Sequence, residues 1–156
     1  MRLTTFTDYG LRVLIYLGSY DGGQATIADI AASFGISENH LVKVVHFLGQ
    51  AGFLETIRGR SGGIRLAAAP AAINIADVVR LTEGLDVPVE CFDPQTNTCR
   101  IAKNCRLHGV LGEAVDAFYA VLENYTLQDL VRNRQALGKI LFQAPAGAGR
   151  AHSGGT

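Results

Sequence analysis

The sequence predicts a mainly α-helical fold carrying one small β-hairpin, and three observations predict it. Two short apolar-periodic stretches, residues 27–34 and 38–51, are joined by a tight turn containing Gly35. That is the pattern of a helix-turn-helix. Directly after it, residues 53–57 and 64–66 alternate like strands around the glycine-rich turn RGRSGG, which reads as a hairpin, or wing. Residues 106–125 then hold apolar side chains at spacings of three and four, the mark of a long amphipathic helix. A winged helix-turn-helix followed by a long dimerisation helix accounts for all three.

The elements follow in order. Leu11, Leu14, Ile15 and Leu17 give residues 6–20 one helical face, and Gly22 and Gly23 end it. Thr26 caps the second helix, with Asp29 reaching back as a capping box. Gly35 suits the helix C-terminus, Ile36 plugs the turn, and Ser37 caps the third helix, which Gly52 ends. Pro70 closes the winged module. Asn74 caps a helix over residues 75–83, and Gly84 ends that one. The stripe Leu107, Leu111, Ala114, Phe118, Val121 and Tyr125 on the long helix is seam-like, and a chain of 156 residues has little core left to cover it. A homodimer is therefore expected. Thr126 caps a short helix over residues 127–131. The domain reading is a DNA-binding module at 1–70, a loop and dimerisation helix at 71–142, and a disordered tail at 143–156.

Composition narrows the function. Fourteen basic and fourteen acidic residues cancel, so any hold on nucleic acid must come from a local patch. Residues 37–65 supply one, with Lys43, Arg58, Arg60 and Arg65 against Glu38 and Glu55. No apolar run approaches the ~20 residues of a membrane span, and the polar N-terminus is unlike a signal peptide. A cytoplasmic location, with reduced thiols and no membrane partner, is the expectation. Nucleophile–base pairs and paired carboxylates are not evident, and RGRSGG joins two strands instead of leading into a helix, so it is no phosphate loop. An enzyme is not expected.

In a winged helix the start of the second helix of the motif meets base edges in the major groove of double-stranded DNA. Here those residues are Ser37, Glu38, Asn39, His40 and Lys43. Asn39 suits a bidentate contact to adenine, Ser37 a phosphate, and Lys43 a phosphate or guanine. Arg58 and Arg60 suit a minor groove or its flanking phosphates. Thr4, Thr5 and Arg12 are candidates to clamp phosphate from the first helix. His46 is expected on the helix surface and His152 in the tail.

The second functional signal is CFDPQTNTCRIAKNC, residues 91–105. It contains all three cysteines, Cys91, Cys99 and Cys105, separated by seven and then five residues in a stretch poor in apolar side chains. Thiolates are the usual ligands of iron–sulfur clusters. A cluster or metal would give this loop a reason to be ordered, with a non-cysteine or exogenous fourth ligand. The alternatives are one disulfide with a free thiol, or three reduced thiols without a ligand.

The stretches FTDYGLR (6–12), NHLVK (39–43), RGRSGGIRL (58–66), CRL (105–107) and NYTLQDLV (124–131) occur in one order over nearly all of the chain up to about residue 142. With them the chain resembles the Rrf-type winged-helix transcriptional regulators, and most closely their nitric-oxide-sensing branch. The resemblance implies a homodimeric repressor of nitrosative-stress genes with an iron–sulfur cluster in each subunit. A 4Fe-4S cluster is the first expectation and a 2Fe-2S cluster the second. Nitric oxide would attack the iron and lower operator affinity. The resemblance also implies a carboxylate fourth ligand from the partner subunit, at the position of Asp8. His108, three residues after Cys105, matches the histidine ligand of a related branch that regulates iron–sulfur cluster assembly, and is the alternative. Glu90 and Asp93 are near in sequence, with nothing to single them out. The competing functions are a regulator of cluster assembly and a zinc-stapled winged-helix interaction module.

Overall fold

The computed structural model describes residues 2–84 and 89–142. The tail from residue 143, with His152, lies outside the described residues. Helix α1 spans Thr5–Ser19, α2 Ile27–Phe34 and α3 Glu38–Gln50. Strands β1 (Leu54–Ile57) and β2 (Gly63–Leu66) pair antiparallel, with Leu54 opposite Leu66 and Ile57 opposite Gly63. Helix α4 spans Ile75–Glu83, α5 Arg106–Glu123, α6 Leu127–Leu130 and α7 Arg134–Leu141. Short 3-10 turns sit at Pro70–Ala72, Glu90–Phe92 and Ala102–Asn104.

Local chemistry sets most boundaries. Thr26 and Asp29 form the expected capping box, and Gly35 takes the left-handed conformation at φ 63° that a residue with a Cβ avoids. Asn74 accepts from the Ala76 N–H at 2.9 Å. Asp129 accepts from the Thr126 hydroxyl and N–H, each at 2.8 Å. Ser37 departs from expectation: it stands at the start of α3, but its side chain makes no capping bond. The start of α1 is fastened more firmly than the sequence suggested. Thr4 accepts from the Thr7 N–H at 3.2 Å, and its own N–H and hydroxyl donate to Glu83 at 2.9 and 3.0 Å. Glu83 thereby ties α4 to the start of α1.

One buried core joins all of this. Val13 and Leu14 of α1, Ile30 of α2, Leu41, Val44 and Leu48 of α3, Val78 and Val79 of α4, and Leu127 of α6 are all at most 1% exposed and belong to a single cluster. The core runs across residue 70, because α1 packs on α4, α6 and α7 as well as on α3. Helix α7 was not expected. It docks on the head through Leu141, through the Tyr16–Phe142 ring contact at 5.0 Å, and through Arg134, which donates to the Ser19 carbonyl at 3.2 Å.

The long helix divides the stripe read from its sequence. Leu111 and Phe118 turn partly inward, and Phe118 joins Tyr119 and Leu122 against the core. Leu107, Ala114, Val121 and Tyr125 lie on an exposed line that also includes Val110 and Ala117. The physical reason is the 3.6-residue turn: alternating steps of four and three keep the stripe within an arc of about 80°, with Leu111 and Phe118 at one margin and Ala114 and Val121 at the other, so only the first margin turns inward.

Candidate DNA interface and thiol site

Helix α3 is set by what it buries. Leu41, Val44, Val45 and Leu48 face inward. Helix α1 packs on them at Gly10, where a Cβ would meet Val44 at 3.8 Å and Leu48 at 4.0 Å in ordinary contact. The opposite face holds Asn39, Val42, Lys43 and His46, all exposed. Ser37, Glu38 and His40 are exposed at the helix start, with the His40 ring 6.5 Å from that of Tyr9 on α1. The expected groove-facing residues therefore share one end and one side of α3.

The wing is anchored by backbone. Ala25 and Ile64 exchange N–H···O bonds of 3.0 and 2.8 Å, and the Gln24 amide donates to the Ser61 carbonyl. Arg58 and Arg60 are exposed, and neither is in an ion pair among the described residues. Arg65 differs. It lies opposite Glu55 in the register and donates to it twice, at 3.0 and 2.9 Å, so the basic wing reduces to the two arginines of the turn. The glycines of that turn are steric requirements. A Cβ on Gly63 would stand 2.7 Å from the Ala25 carbonyl oxygen. Gly63→Ala is expected to shift the hairpin off Ala25 and destabilise the protein by about 1–3 kcal/mol, the usual range for overpacking. A urea titration measures the stability change, and a fall in operator affinity should accompany it.

Thr5 is exposed at the first turn of α1. Arg12 holds Asp8 at 2.8 Å, one helical turn away, and lies 5.7 Å from the Phe34 ring centre. Both partners are about half exposed. Thr4 is already used by Thr7 and Glu83.

The cysteines occupy three different local settings. Cys91 is in the 3-10 turn Glu90–Phe92, Cys99 follows a polar turn, and Cys105 is the residue before α5. All three are free thiols and partly buried. Asp93 organises the turn between the first two: it accepts from the Gln95 N–H at 2.9 Å and the Thr96 hydroxyl at 2.8 Å. The backbone bond from Gln95 is the main cause holding its carboxyl below the usual range, followed by the Thr96 hydroxyl. Glu90 accepts from Thr98 at 3.2 Å. Both acids are thus engaged in shaping the loop. His108 lies face to face with Phe92, ring centres 4.3 Å apart and 17° between planes. That stack ties the segment bearing Cys91 to the first turn of α5.

The donor chemistry suits iron and sulfur: three uncommitted thiols on one loop. Among the described residues, however, no three His, Cys, Asp or Glu side chains converge closely enough to hold a metal ion. Asp8 sits on α1 with Arg12 and is not gathered with the thiols.

The Rrf2 family profile, described as an iron-dependent transcriptional regulator, matches residues 3–133. The chain belongs to the Rrf2 family. Within it, the HTH-type transcriptional regulator NsrR of Bacillus subtilis (strain 168) is 52% identical over 142 residues, covering 90% of this chain and 97% of that protein. The NsrR of Halalkalibacterium halodurans is 49% identical over 146 residues, covering 93% and 100%. A solved structure, CymR (YrzC), the global cysteine regulator of B. subtilis, superposes with a TM-score of 0.66 at 31% identity, covering 85% of this chain and 98% of that one. This Rrf2 protein is a DNA-binding transcriptional regulator close to the NsrR proteins, and not an enzyme. No helix among its described residues is long and apolar enough to cross a membrane.

Besides helix α7, sequence reasoning missed three features of this Rrf2 chain. The Thr4–Glu83 tie joins residues 79 apart, and no local pattern announces it. The neutralisation of Arg65 follows from hairpin register, which was readable once the turn length was set. The Phe92–His108 stack needed the loop's path.

Proposed function

We propose that this protein is a nitric-oxide-responsive repressor that binds DNA as a homodimer and carries an iron–sulfur cluster on Cys91, Cys99 and Cys105. The observation that carries the proposal is the set of three free, partly buried thiols on the loop between α4 and α5 of an Rrf2 winged-helix chain. A cluster, 4Fe-4S before 2Fe-2S, would supply an iron at which nitric oxide binds. The three thiols would hold it, and Asp8 from the partner subunit would complete the set. Two observations favour Asp8 over His108. Its carboxylate is 47% exposed and reachable from outside its own subunit, whereas the imidazole is stacked on Phe92. As the fourth ligand, Asp8 would exchange its partner Arg12 for iron, which couples the cluster to α1 and, through Gly10, to α3.

Dimerisation is supported by the exposed line on α5. Leu107, Val110 and Val121 are 58–60% exposed and Tyr125 is 48% exposed, with Ala114 and Ala117 between them. The steps of three and four along that line fit a helix–helix seam. On the head, Ser37, Asn39, His40 and Lys43 would meet the major groove, Arg58 and Arg60 the flanking minor groove, and Thr5 and Arg12 the phosphates.

The test is anaerobic purification, visible and Mössbauer spectroscopy, then stepwise nitric oxide with a parallel binding assay on the gene's own promoter. A cluster spectrum that bleaches as DNA is released is expected. Alanine at Cys91, Cys99 or Cys105 is expected to abolish that spectrum. A cluster indifferent to nitric oxide would replace the reading with a regulator of cluster assembly. A colourless zinc protein, or native absorbance in all three cysteine variants, would overturn the site.

A further inference from the structure

Helix α3 turns four apolar side chains into the core, packs Phe47 against its edge and leaves one out. Leu41, Val44, Val45 and Leu48 are 0–6% exposed, whereas Val42 is 50% exposed. Among the described residues ahead of Leu81, Val42 is the one large hydrophobic side chain that is exposed. An isolated surface apolar residue is ordinary and by itself says nothing. The position of this one is what matters. Asn39, Val42, Lys43 and His46 follow the spacing i, i+3, i+4, i+7, which places them on one face of the helix. The other three carry an amide, an ammonium and an imidazole, the groups that bond base edges and phosphates. A β-branched residue there gains nothing in helix propensity. The isopropyl group is thus presented in the middle of a polar row on the exposed face of α3.

The major-groove edge of DNA offers one apolar group, the 5-methyl of thymine. We propose that Val42 is a sequence-reading residue that contacts a thymine methyl, next to the base pair contacted by Asn39. The spacing is suitable. Three residues advance about 4.5 Å along a helix axis, and one base-pair step is about 3.4 Å. Asn39 would bond the N6 and N7 of an adenine while Val42 packs on a thymine in the neighbouring pair. Each operator half-site would then hold two adjacent A·T pairs beneath the first two turns of α3. The proposal rests on DNA binding and stands apart from the cluster and from nitric oxide.

The test uses the full-length protein as isolated anaerobically. Duplexes are first selected from a random pool by the wild-type protein. In the selected site each thymine is replaced singly by deoxyuridine, which removes only the methyl group. One thymine per half-site is expected to matter, and its replacement should weaken wild-type binding about fourfold, the worth of one buried methyl-sized group. Val42→Ala should bind the unmodified site more weakly and should be indifferent to deoxyuridine at that same position. Its exposure makes the substitution harmless to the fold, which circular dichroism checks. Arg60→Ala serves as the contrast: it should weaken binding and flatten its salt dependence, yet keep the deoxyuridine effect. The proposal is overturned if no thymine methyl matters to the wild type, if Val42→Ala keeps the wild-type deoxyuridine profile, or if the pool enriches no sequence.

Discussion

Replacing Val121 with aspartate is expected to leave the protein a monomer in place of the proposed homodimer and to lower affinity for a two-half-site operator at least a hundredfold. Val121 is 58% exposed in the isolated chain, on the line formed with Leu107, Val110, Ala114, Ala117 and Tyr125. If that line is covered by a second copy, the new carboxylate is carried into an apolar interface without a partner. Removing such a charge from water costs several kcal/mol. Each subunit keeps its own reading head, so contacts to a single half-site are untouched. What disappears is the effective concentration that joins the two, worth a factor of about 10²–10⁴. Sedimentation measures the mass, and binding to duplexes with one and two half-sites separates the two effects. Because Val121 is exposed, the monomer should retain its helicity. A variant that stays dimeric would remove the α5 seam from the interface.

The second large effect is expected inside the chain. Leu127→Ala should destabilise the protein by about 2–5 kcal/mol, the range for removing a fully buried leucine. Leu127 is 0% exposed. It lies against α1 at Gly18, where an added Cβ would stand 3.4 Å from its side chain. Its N–H donates to the Ile73 carbonyl at 2.8 Å, so it also joins α6 to the approach to α4. The urea midpoint should fall with an unchanged slope, in a single transition reported alike by a probe in the head and one on α5. Two separate transitions would mean that the core does not act as one unit across residue 70.

The winged head was legible in the sequence because its signals are local. The Thr26–Asp29 box, the glycine at 35 and the RGRSGG turn each act within a few residues, and the structure places elements where they point. The thiol loop was legible as chemistry, since three cysteines in a polar stretch stand out wherever the loop runs. Its geometry was not. The turn around Asp93 and the Phe92–His108 stack depend on which side of α5 the loop follows. Helix α7 escaped notice although Leu137 and Leu141 recur at helical spacing, because it is two turns long, contains Gly138 and starts at Asn133 without a side-chain capping bond. It is held by contacts to Tyr16 and Ser19, more than a hundred residues away.

By itself the sequence determined the kind and order of most elements, the donor set on the loop and the likeness to Rrf regulators. Those rest on backbone propensity, capping and side-chain chemistry, which act over a few residues. Only the tertiary structure decided which apolar side chains of α5 turn inward, that Thr4 is tied to Glu83, and that Arg134 reaches Ser19. It also decided that Val42 faces outward among polar neighbours. The physical reason is that burial and charge pairing are set by what lies opposite a side chain, and for most of these residues the opposing surface comes from a distant part of the chain.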